Sequence, residues 1–401
     1  MAEKVVITSL GVISALGYGV TANLQALQAG RSGIGNIRYL QTVHANDFLI
    51  GEVKRSNAEL IEMMGLDANK AYTRTTLLAF AAFKELLKGI DISLLKGEPF
   101  AFINANTVGG MCSVEDMYLD FLSENPSVEH VKYIDTLDCA ESTLNIAKHF
   151  DLQPLMATIS TACSSSANSL ILGARMIKQG MVQRAICGGC DAMSRFTLNG
   201  FNTLKNVDKE LCRPFDQNRM GLNLGEGAGY LLLESESAAK ARGATIIAEL
   251  SGYSNTNDAY HPTAPAPDGS GAVRTMKQAL DKAGLQPSDI GYINAHGTAT
   301  QNNDAAEGKA IAQLFAGNIP AFSSTKPFTG HTLAAAGSIE AIFTILALQN
   351  NMALPNLNFE TPMEELSIKP VTNAQDNNAR HALSNSFGFG GSNVSLVFSK
   401  A

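Results

Sequence analysis

The sequence has few charged residues and no long hydrophobic run. Charged side chains make up 17% of the 401 residues and hydrophobic ones 45%, which indicates a globular protein and not a disordered chain. No stretch reaches the roughly 20 consecutive apolar residues that a membrane-spanning helix needs. The apolar start, MAEKVVITSLGVISALG, is interrupted by serine and glycine, which predicts a buried strand and not a signal peptide. We therefore expect a soluble cytoplasmic protein with no membrane partner.

An excess of basic residues is also absent. The chain carries 37 acidic and 30 basic side chains, so its net charge is −7. A negative balance disfavours general nucleic-acid binding. We expect no nucleic-acid partner.

A disulfide framework is not expected in a cytosolic chain of this length, although six cysteines are present. Cys187 and Cys190 form the sequence CGGC, which allows a redox or zinc-binding interpretation. A second C-x-x-C pair and a nearby histidine are both missing, so two small thiols at the end of a buried strand are the favoured interpretation. We predict no metal ion.

Strands and helices alternate along both parts of the chain. Runs such as VVITSLGVIS and LMATIS predict buried strands, and SSSANSLILGARMIKQG and LAAAGSIEAIFTILALQN predict helices. The segment AAKARGA, residues 238–244, is small and charged, and we place the join between two halves there, at 1–243 and 244–401. This alternation predicts an α/β protein with central sheets. The similar order of elements in the two halves is consistent with a diverged duplication.

One cysteine stands among small side chains. Cys163 lies in STACSSSAN, residues 160–168, between a predicted strand and a predicted helix. The free N–H groups and the dipole of a helix start favour a thiolate and can lower a cysteine pKa well below about 8.5. Small neighbours would let a substrate carbonyl approach, and the N–H of Cys163 could serve as an oxyanion donor. On this stretch alone, a nucleophile and a buried structural cysteine are equally consistent.

Two histidines and a glycine-rich loop favour the nucleophile. His296 lies in NAHGTAT and His331 in KPFTGHTLAAAG, each after an apolar strand and in a tight turn. A single histidine is more often a satisfied core residue, but two in matched settings indicate a functional site. The segment NSFGFGGSN, residues 385–393, adds glycines that permit close approach to a ligand, without the GK[ST] ending of a phosphate loop.

Taken together, TACSSS, NAHGTAT, KPFTGH and NSFGFGGSN resemble the motifs of the β-ketoacyl-acyl carrier protein synthases, the condensing enzymes of fatty acid and polyketide synthesis. The resemblance covers essentially the whole chain. The cysteine–histidine–histidine set is similar to that of the elongating synthases of types I and II. The resemblance implies the thiolase fold, in which two similar halves, each with a five-stranded sheet, stack as α-β-α-β-α layers. It also implies a homodimer.

The resemblance further implies an acyltransferase, a 3-oxoacyl-[acyl-carrier-protein] synthase of fatty acid elongation. An acyl chain on Cys163 would condense with malonyl-acyl carrier protein, with loss of carbon dioxide, to give 3-oxoacyl-acyl carrier protein. The N–H groups of His296 and His331 would hold the enolate oxygen, and Phe389 would supply an oxyanion donor and gate the site. The partners would be acyl carrier protein and the acyl and malonyl thioesters on its phosphopantetheine arm. The enzyme itself would need no cofactor.

Five further residues receive roles from the resemblance alone. Lys326 and Glu340 would form an ion pair that organises the histidines. Thr298 and Thr300 would bind the pantetheine arm. Val108, in NTVGG, would limit the length of the acyl chain.

The chain departs from the family pattern beside both histidine motifs. Residues 301–303, QNN, stand where fatty acid synthases usually carry proline and glycine. Pro327 and Phe328 stand where serine and methionine are common. These differences keep open the alternative of a ketosynthase dedicated to a specialised polyketide, such as an aryl polyene.

Few basic residues are available to bind an acidic carrier protein. The docking helix of the family is rich in basic residues, whereas NKAYTRTT offers only Lys70 and Arg74, with Lys205 and Lys209 further along. This favours a particular carrier partner. A non-catalytic subunit that sets chain length is a second alternative, but such subunits lack the cysteine.

Overall fold

The computed structural model describes residues 3–127 and 129–401. The strands are β1 (Val5–Ser14), β2 (Gly17–Tyr18), β3 (Gly35–Asn36), β4 (Leu49–Ile50), β5 (Ala101–Ala105), β6 (Leu155–Ile159), β7 (Arg184–Asp191), β8 (Gly227–Ser235), β9 (Ala248–Asn257), β10 (Ile290–Asn294), β11 (Ala321–Ser323), β12 (Met352–Ala353), β13 (Gln375–Asp376), β14 (His381–Gly388) and β15 (Ser392–Lys400). The α-helices are α1 (Val20–Gln28), α2 (Asn57–Met64), α3 (Arg74–Leu86), α4 (Met111–Phe121), α5 (Glu141–His149), α6 (Ser165–Lys178), α7 (Arg195–Thr203), α8 (Glu236–Ala241), α9 (Ser270–Ala283), α10 (Gln301–Leu314), α11 (Lys326–Thr329) and α12 (Ala336–Gln349). Short 3-10 helices cover Ile92–Leu95, Glu129–Thr136, Pro287–Asp289, Leu333–Ala335 and Phe389–Gly391.

One large sheet runs through both halves of the chain. Its hydrogen-bonded order is β11-β10-β14-β15-β9-β1-β8-β7-β5-β6. Numbered within its own half, each set of five strands has the order 3-2-4-5-1. In each set the first two pairings are parallel and the next two are antiparallel. The shared order and directions support a duplication of one half-sized unit.

The two halves also meet edge to edge. β1 and β9 share two antiparallel residue pairs, Val6 with Glu249 and Ile7 with Ala248. The two five-stranded sheets implied by the family resemblance are therefore joined into a single hydrogen-bonded sheet.

Helices α6 and α12 form the central layer. α12 packs on β8 from the N-terminal half and on β14 from the C-terminal half, while α6 packs on β7 and β5. On the outer faces, α3 covers β1 and β8, and α9 covers β9 and β15. These are the α-β-α-β-α layers of the thiolase fold, so the predicted fold class is confirmed.

The composition of α12 explains its central position. Every residue from Ala336 to Leu348 is buried and most are apolar, with Glu340 paired to Lys326. A helix that is apolar around most of its circumference is stable only inside a protein. Small residues let α6 approach it closely, because a Cβ on Gly337 would lie 2.7 Å from the backbone nitrogen of Ala167. This close packing fixes the start of α6, which directly follows Cys163.

Three local predictions can be compared with the structure. The apolar segment near the start of the chain forms β1, which lies at the centre of the sheet. Cys187 and Cys190 are buried free thiols in β7, as the favoured interpretation of CGGC predicted. The predicted boundary at residues 243 and 244 falls between α8 and β9. In the described ranges, no helix is both long and apolar enough to cross a membrane.

Candidate active site

The ends of four strands bring the predicted residues together. Cys163 follows β6, His296 follows β10, Lys326 follows β11, and the loop 388–391 follows β14. β10 pairs in parallel with both β11 and β14, so the carboxyl ends of these three strands lie at one edge of the sheet. Ligand sites of α/β proteins form at such edges.

Cys163 lies in a tight turn between β6 and α6. The preceding residue, Ala162, has a φ of +51°, a left-handed conformation that costs about 1 kcal/mol or more for a residue with a side chain. The hydroxyl of Ser165 donates to the Ala162 oxygen at 2.6 Å and accepts the Thr161 N–H at 2.8 Å. These bonds hold the turn, and Cys163 lines a cavity although it is only 6% exposed.

Burial raises the pKa of the Cys163 thiol to about 11. The charge of Lys326 and the backbone N–H groups of Phe389 and Cys163 lower the pKa, but they do not outweigh the loss of hydration. Burial therefore outweighs the helix start, which on its own favours a thiolate, and the raised pKa favours a protonated thiol at neutral pH.

His296 is oriented by two ionisable side chains from other elements. The Glu307 carboxylate accepts the backbone N–H of His296 at 2.9 Å and that of Gly297 at 2.8 Å. The ammonium of Lys326 lies 3.2 Å from His296 Nδ1, and it also donates to the His296 backbone oxygen and to Glu340 Oε1, the latter at 2.5 Å. Because an ammonium only donates, His296 Nδ1 is the acceptor, and the ring proton lies on Nε2.

His331 has the same tautomer for a different reason. The backbone N–H of Leu333 donates to His331 Nδ1 at 3.1 Å, which again leaves the ring proton on Nε2. The backbone of His331 is held by Asn223 and Gly225 at 2.7 and 2.9 Å. Its Nε2 is buried and has no hydrogen-bond partner among the residues that the structure describes. Such an unpaired group is costly unless a ligand accepts its proton.

Both imidazoles are neutral. Burial lowers the pKa of His296 and of His331 well below 6.5, and the charge of Lys326 lowers both further. The rings are nearly perpendicular, with centroids 5.6 Å apart. The Cys163 sulfur and one nitrogen of each ring all lie within 4.8 Å of one another. The site therefore presents two neutral N–H donors beside a thiol.

A cysteine and two histidines this close together are also a donor set for a metal such as zinc. A histidine that binds a metal through Nε2 carries its proton on Nδ1 and donates it to an acceptor. Here Nδ1 of each ring faces a donor instead, from Lys326 or from Leu333. The hydrogen bonds around this cluster therefore do not suit a metal ion.

The site opens into a cavity of about 270 Å³. Thr298 and Thr300 line it, with their hydroxyl oxygens 2.8 Å apart. Phe389 also lines it, and its ring stacks on that of Phe201 with 5.7 Å between centroids. The cavity thus has a polar wall of two threonines and an aromatic wall that includes the predicted gate.

Each half of the chain matches the description of a known family. Beta-ketoacyl synthase, N-terminal domain, matches residues 2–239, and Beta-ketoacyl synthase, C-terminal domain, matches residues 247–360. The chain belongs to the beta-ketoacyl synthase family. It is therefore a condensing enzyme of the acyltransferase class, as its motifs predicted.

Curated and solved relatives of the synthase agree with this assignment. The 3-oxoacyl-[acyl-carrier-protein] synthase 2 of Staphylococcus aureus (strain COL) is 36% identical over 410 residues, covering 99% of this chain and 98% of that protein. The Vibrio cholerae protein of the same name is 34% identical, with 99% of each chain covered. The ishigamide ketosynthase/chain length factor gives a TM-score of 0.93 at 30% identity over all of both chains. The ketosynthase ApeO in complex with its chain length factor, from Xenorhabdus doucetiae, gives a TM-score of 0.84 at 32% identity. The match covers 100% of this chain and 98% of that one.

Val108 stands apart from the cluster of Cys163, His296 and His331. It is not among the described residues that line the cavity. Its side chain packs, like that of Phe201, against an apolar cluster that includes Leu222. Phe201 and Leu222 do line the cavity, so the apolar cluster reaches the cavity although Val108 does not line it.

Arg74 is not available for carrier docking, which corrects the sequence-based interpretation. It is buried, and its guanidinium pairs with Glu226 at 2.5 Å. Lys70, Lys205 and Lys209 are exposed, and Lys205 lies at the cavity. The basic surface near the entrance is therefore even smaller than the sequence suggested.

The departures from the family pattern fit the fold of the synthase. Pro327 is the second residue of α11, where a helix does not need its N–H. Phe328 is fully buried in the main core. Gln301 and Asn302 are exposed at the cavity, so they change the surface that an incoming substrate meets.

Sequence reasoning missed two buried acids near the site. Burial raises the pKa of Glu307 to about 7 and that of Asp191 to about 6. Both carboxyl groups accept backbone N–H groups of segments that carry site residues. The available signal was an acidic residue on the buried face of α10 and another at the end of an apolar strand, where charges are rare without partners.

Proposed function

We propose that Cys163, His296 and His331 together catalyse the decarboxylative condensation of an acyl chain with malonyl-acyl carrier protein. The observation that carries this proposal is the cluster in which the thiol sulfur and one nitrogen of each ring lie within 4.8 Å of one another. Both Nδ1 atoms accept hydrogen bonds, so each neutral ring carries its proton on Nε2. Enolate formation needs donors at one oxygen, and the acyl acceptor must be close enough for a carbon–carbon bond to form. The product is a 3-oxoacyl-acyl carrier protein of fatty acid elongation.

In the first half-reaction, Cys163 takes the acyl group from the carrier. Its sulfur attacks the thioester carbonyl, the bond to the carrier sulfur breaks, and the thiol proton passes to the departing thiolate. The backbone N–H groups of Cys163 and Phe389 are close enough to this sulfur to lower the pKa of the thiol. They are placed to hold the oxyanion of the tetrahedral intermediate.

In the second half-reaction, the malonyl group loses carbon dioxide. The electron pair of the broken carbon–carbon bond passes to the thioester oxygen, and the Nε2–H groups of His296 and His331 donate to the enolate. Its carbon attacks the acyl carbonyl on Cys163, and the cysteine sulfur leaves and takes up a proton. The Lys326 charge, 3.2 Å from His296 Nδ1, keeps that ring from accepting a proton and polarises its N–H.

The cavity provides the route for the substrate arm. Thr298 and Thr300 offer hydroxyl groups to the amides of the pantetheine, and Phe389 closes the acyl side until Cys163 is acylated. Lys205, at the cavity, meets the acidic carrier protein. In this proposal Val108 affects acyl length indirectly, through the apolar cluster that it shares with Phe201.

Purified protein mixed with acyl-acyl carrier protein and malonyl-acyl carrier protein tests this function. Mass spectrometry of the carrier is expected to show a 3-oxoacyl group two carbons longer than the primer, and Cys163→Ala is expected to abolish it. Release of carbon dioxide without condensation, or no reaction, would contradict the proposal. A non-catalytic subunit is disfavoured because the cysteine and both histidines are present in one cluster.

A specialised polyketide ketosynthase is the second candidate. Two structural relatives, at 30% and 32% identity, are ketosynthases described with chain length factors. Gln301 and Asn302 also give the cavity mouth a polar surface unlike that of common fatty acid synthases. A panel of saturated, unsaturated and aryl primers, with intact mass of the loaded enzyme, separates the two. Exclusive loading of aryl or polyene primers would favour the specialised role.

The proposal also includes a homodimer. Most exposed large hydrophobic side chains of the described residues fall between residues 118 and 156. β6 is an edge strand, and its Leu155 and Met156 are 50% and 46% exposed. A second copy placed against this edge would cover these side chains and pair the free backbone groups of β6. We further propose that the enzyme works in the cytoplasm without a cofactor or metal.

A further inference from the structure

Asp191, at the end of β7, is fully buried and joins two separate segments. Its Oδ1 accepts the backbone N–H groups of Thr107 and Val108, at 3.1 and 3.2 Å. Its Oδ2 accepts the Thr107 hydroxyl and the backbone N–H of Ala334, the latter at 2.8 Å. A buried carboxylate with this many donors fixes the backbone that supplies them, because each donor left unpaired would cost about 1–3 kcal/mol.

The bond to Ala334 reaches the segment that orients His331. Leu333, the residue before it, has a φ of +54°, a left-handed conformation that is unfavourable for a residue with a side chain. In this conformation the Leu333 N–H donates to His331 Nδ1 at 3.1 Å. A strained residue keeps such a conformation only where its surroundings fix it, and Asp191 supplies a fixed acceptor at the next residue along the chain.

We propose that Asp191 is a positioning residue for the decarboxylation step. It is not among the described residues that line the cavity, and it acts through the turn at Leu333–Ala335. When this turn relaxes, His331 Nδ1 loses its donor, and the tautomer with the proton on Nδ1 begins to compete. Only the tautomer with the proton on Nε2 holds the enolate oxygen. The inference rests on the proposed function, but it concerns enolate formation and not acylation of Cys163.

Asp191→Asn tests this role because it replaces one oxygen by an amide nitrogen of similar size. The amide oxygen is expected at the Oδ1 position, where it keeps the N–H groups of Thr107 and Val108. The amide NH₂ then faces the Ala334 N–H, and two donors repel each other. We expect malonyl decarboxylation, measured as carbon dioxide release, to fall about 10- to 100-fold. Acyl loading, measured by intact mass, is expected to stay within about twofold of wild type.

Glu85→Gln is the matched control. The Glu85 carboxylate also accepts two backbone N–H groups, from Val12 at 2.7 Å and from Val20 at 2.6 Å, and it does not line the cavity. The Glu85→Gln substitution disturbs the same kind of hydrogen bond elsewhere in the N-terminal half of the chain. Both half-reactions are therefore expected to stay at the wild-type rate. An Asp191→Asn variant that decarboxylates as fast as Glu85→Gln would overturn the inference.

The tautomer of His331 can be measured directly, and a general loss of stability is not expected to change it. Nitrogen-15 NMR of ring-labelled histidine is expected to show the proton on Nε2 in wild type and a mixture of tautomers in Asp191→Asn. An unchanged tautomer, or equal losses in loading and decarboxylation, would overturn the proposed role.

A second variant serves if Asp191→Asn does not fold. Thr107→Val removes only the hydroxyl donor to Oδ2 and keeps the carboxylate. It is expected to lower decarboxylation severalfold while acyl loading is kept, and unchanged decarboxylation would again overturn the inference. If wild-type enzyme shows neither half-reaction, the proposed function fails, whereas the tautomer spectrum still tests the link from Asp191 to His331.

Discussion

The Cys163 thiol is protonated at rest because burial outweighs the charge and the N–H groups that favour its anion. A thiol with a pKa of about 11 reacts with iodoacetamide only through its small thiolate fraction. We expect the alkylation rate to rise about tenfold per pH unit from about pH 7 to about pH 10, without a plateau. Intact mass follows the reaction, with Cys163→Ala as the site control.

A rate that levels off near neutral pH would contradict this prediction. It would mean that Lys326 and the N–H groups of the Phe389 loop and the helix start outweigh burial. The helix start, which is visible in the sequence, would then have been the better guide to the state of the thiol.

His331→Ala removes one of the two Nε2–H donors. Loss of one donor to an oxyanion typically slows a reaction about 100- to 1,000-fold, so we expect malonyl decarboxylation to fall by that factor. Acyl loading is expected to change little, because the oxyanion donors of that step are backbone N–H groups. Release of labelled carbon dioxide and intact mass measure the two steps.

His381→Ala is the control for this variant. His381 lies on β14, binds Ser399 at 2.7 Å, and is not among the described residues at the cavity. It is expected to keep both half-reactions. Decarboxylation at the wild-type rate in His331→Ala would show that this ring does not hold the enolate.

The identities of the site residues were predictable from the sequence, but their protonation was not. Motifs mark all three positions: Cys163 and His296 lie directly after the strands β6 and β10, whereas His331 follows the short helix α11 that comes after β11. The tautomer of each ring depends on a partner that folding places against it, Lys326 for one and Leu333 for the other. The left-handed backbone of Leu333 has no signal in the sequence, because leucine rarely adopts it.

Two glycines at helix ends differ both in backbone conformation and in the space around them. Gly284 has a ψ of 28°, in the left-handed helical region, whereas Gly330 has a ψ of 176°, a combination that is accessible essentially to glycine alone. Gly330 ends α11 with a φ of +72°, and a Cβ there would lie 2.5 Å from the backbone oxygen of Leu224. Gly284 ends α9 with a φ of +70°, and a Cβ there would meet nothing within 4 Å. We expect Gly284→Ala to lower the free energy of unfolding by about 1 kcal/mol and Gly330→Ala by about 3 kcal/mol.

Urea unfolding of both variants measures this difference. Gly330→Ala is also expected to slow decarboxylation, because the displaced backbone carries His331. Equal free energies of unfolding in the two variants would show that neither the Leu224 contact nor the backbone conformation of Gly330 adds to the cost.

The strands and helices around the site were largely predictable, because their apolar periodicity is a local property. The junction between β1 and β9 was not. Its two residue pairs join positions that are far apart in the sequence, and no local pattern marks them. The layer order likewise came from the family resemblance, since composition predicts only alternating strands and helices.

At the scale of the whole molecule, the exposed edge strand β6 predicts an interface. A lysine at such an edge opposes pairing with another strand. We expect Met156→Lys to weaken the homodimer at least about tenfold, measured as the dissociation constant by sedimentation velocity. Met181→Lys is the control, because Met181 is 60% exposed and lies in the loop between α6 and β7.

Different outcomes distinguish the possible partners. The wild-type protein could be monomeric and active only when a second, different chain is added. This outcome would contradict the homodimer and favour a heterodimer. A Met156→Lys variant that dimerises as tightly as wild type would place the interface elsewhere on the molecule.

The backbone amide at His331 Nδ1 limits what this ring can do with protons. If Nε2 gave its proton to the enolate carbon, the ring would become an imidazolate, since a peptide N–H is far too weak an acid to replace the lost proton. Protonation of the carbanion would leave an acetyl group on the carrier. His331 is therefore not the source of that proton. In the proposed mechanism, His331 therefore stabilises the negative charge of the enolate without protonating its carbon.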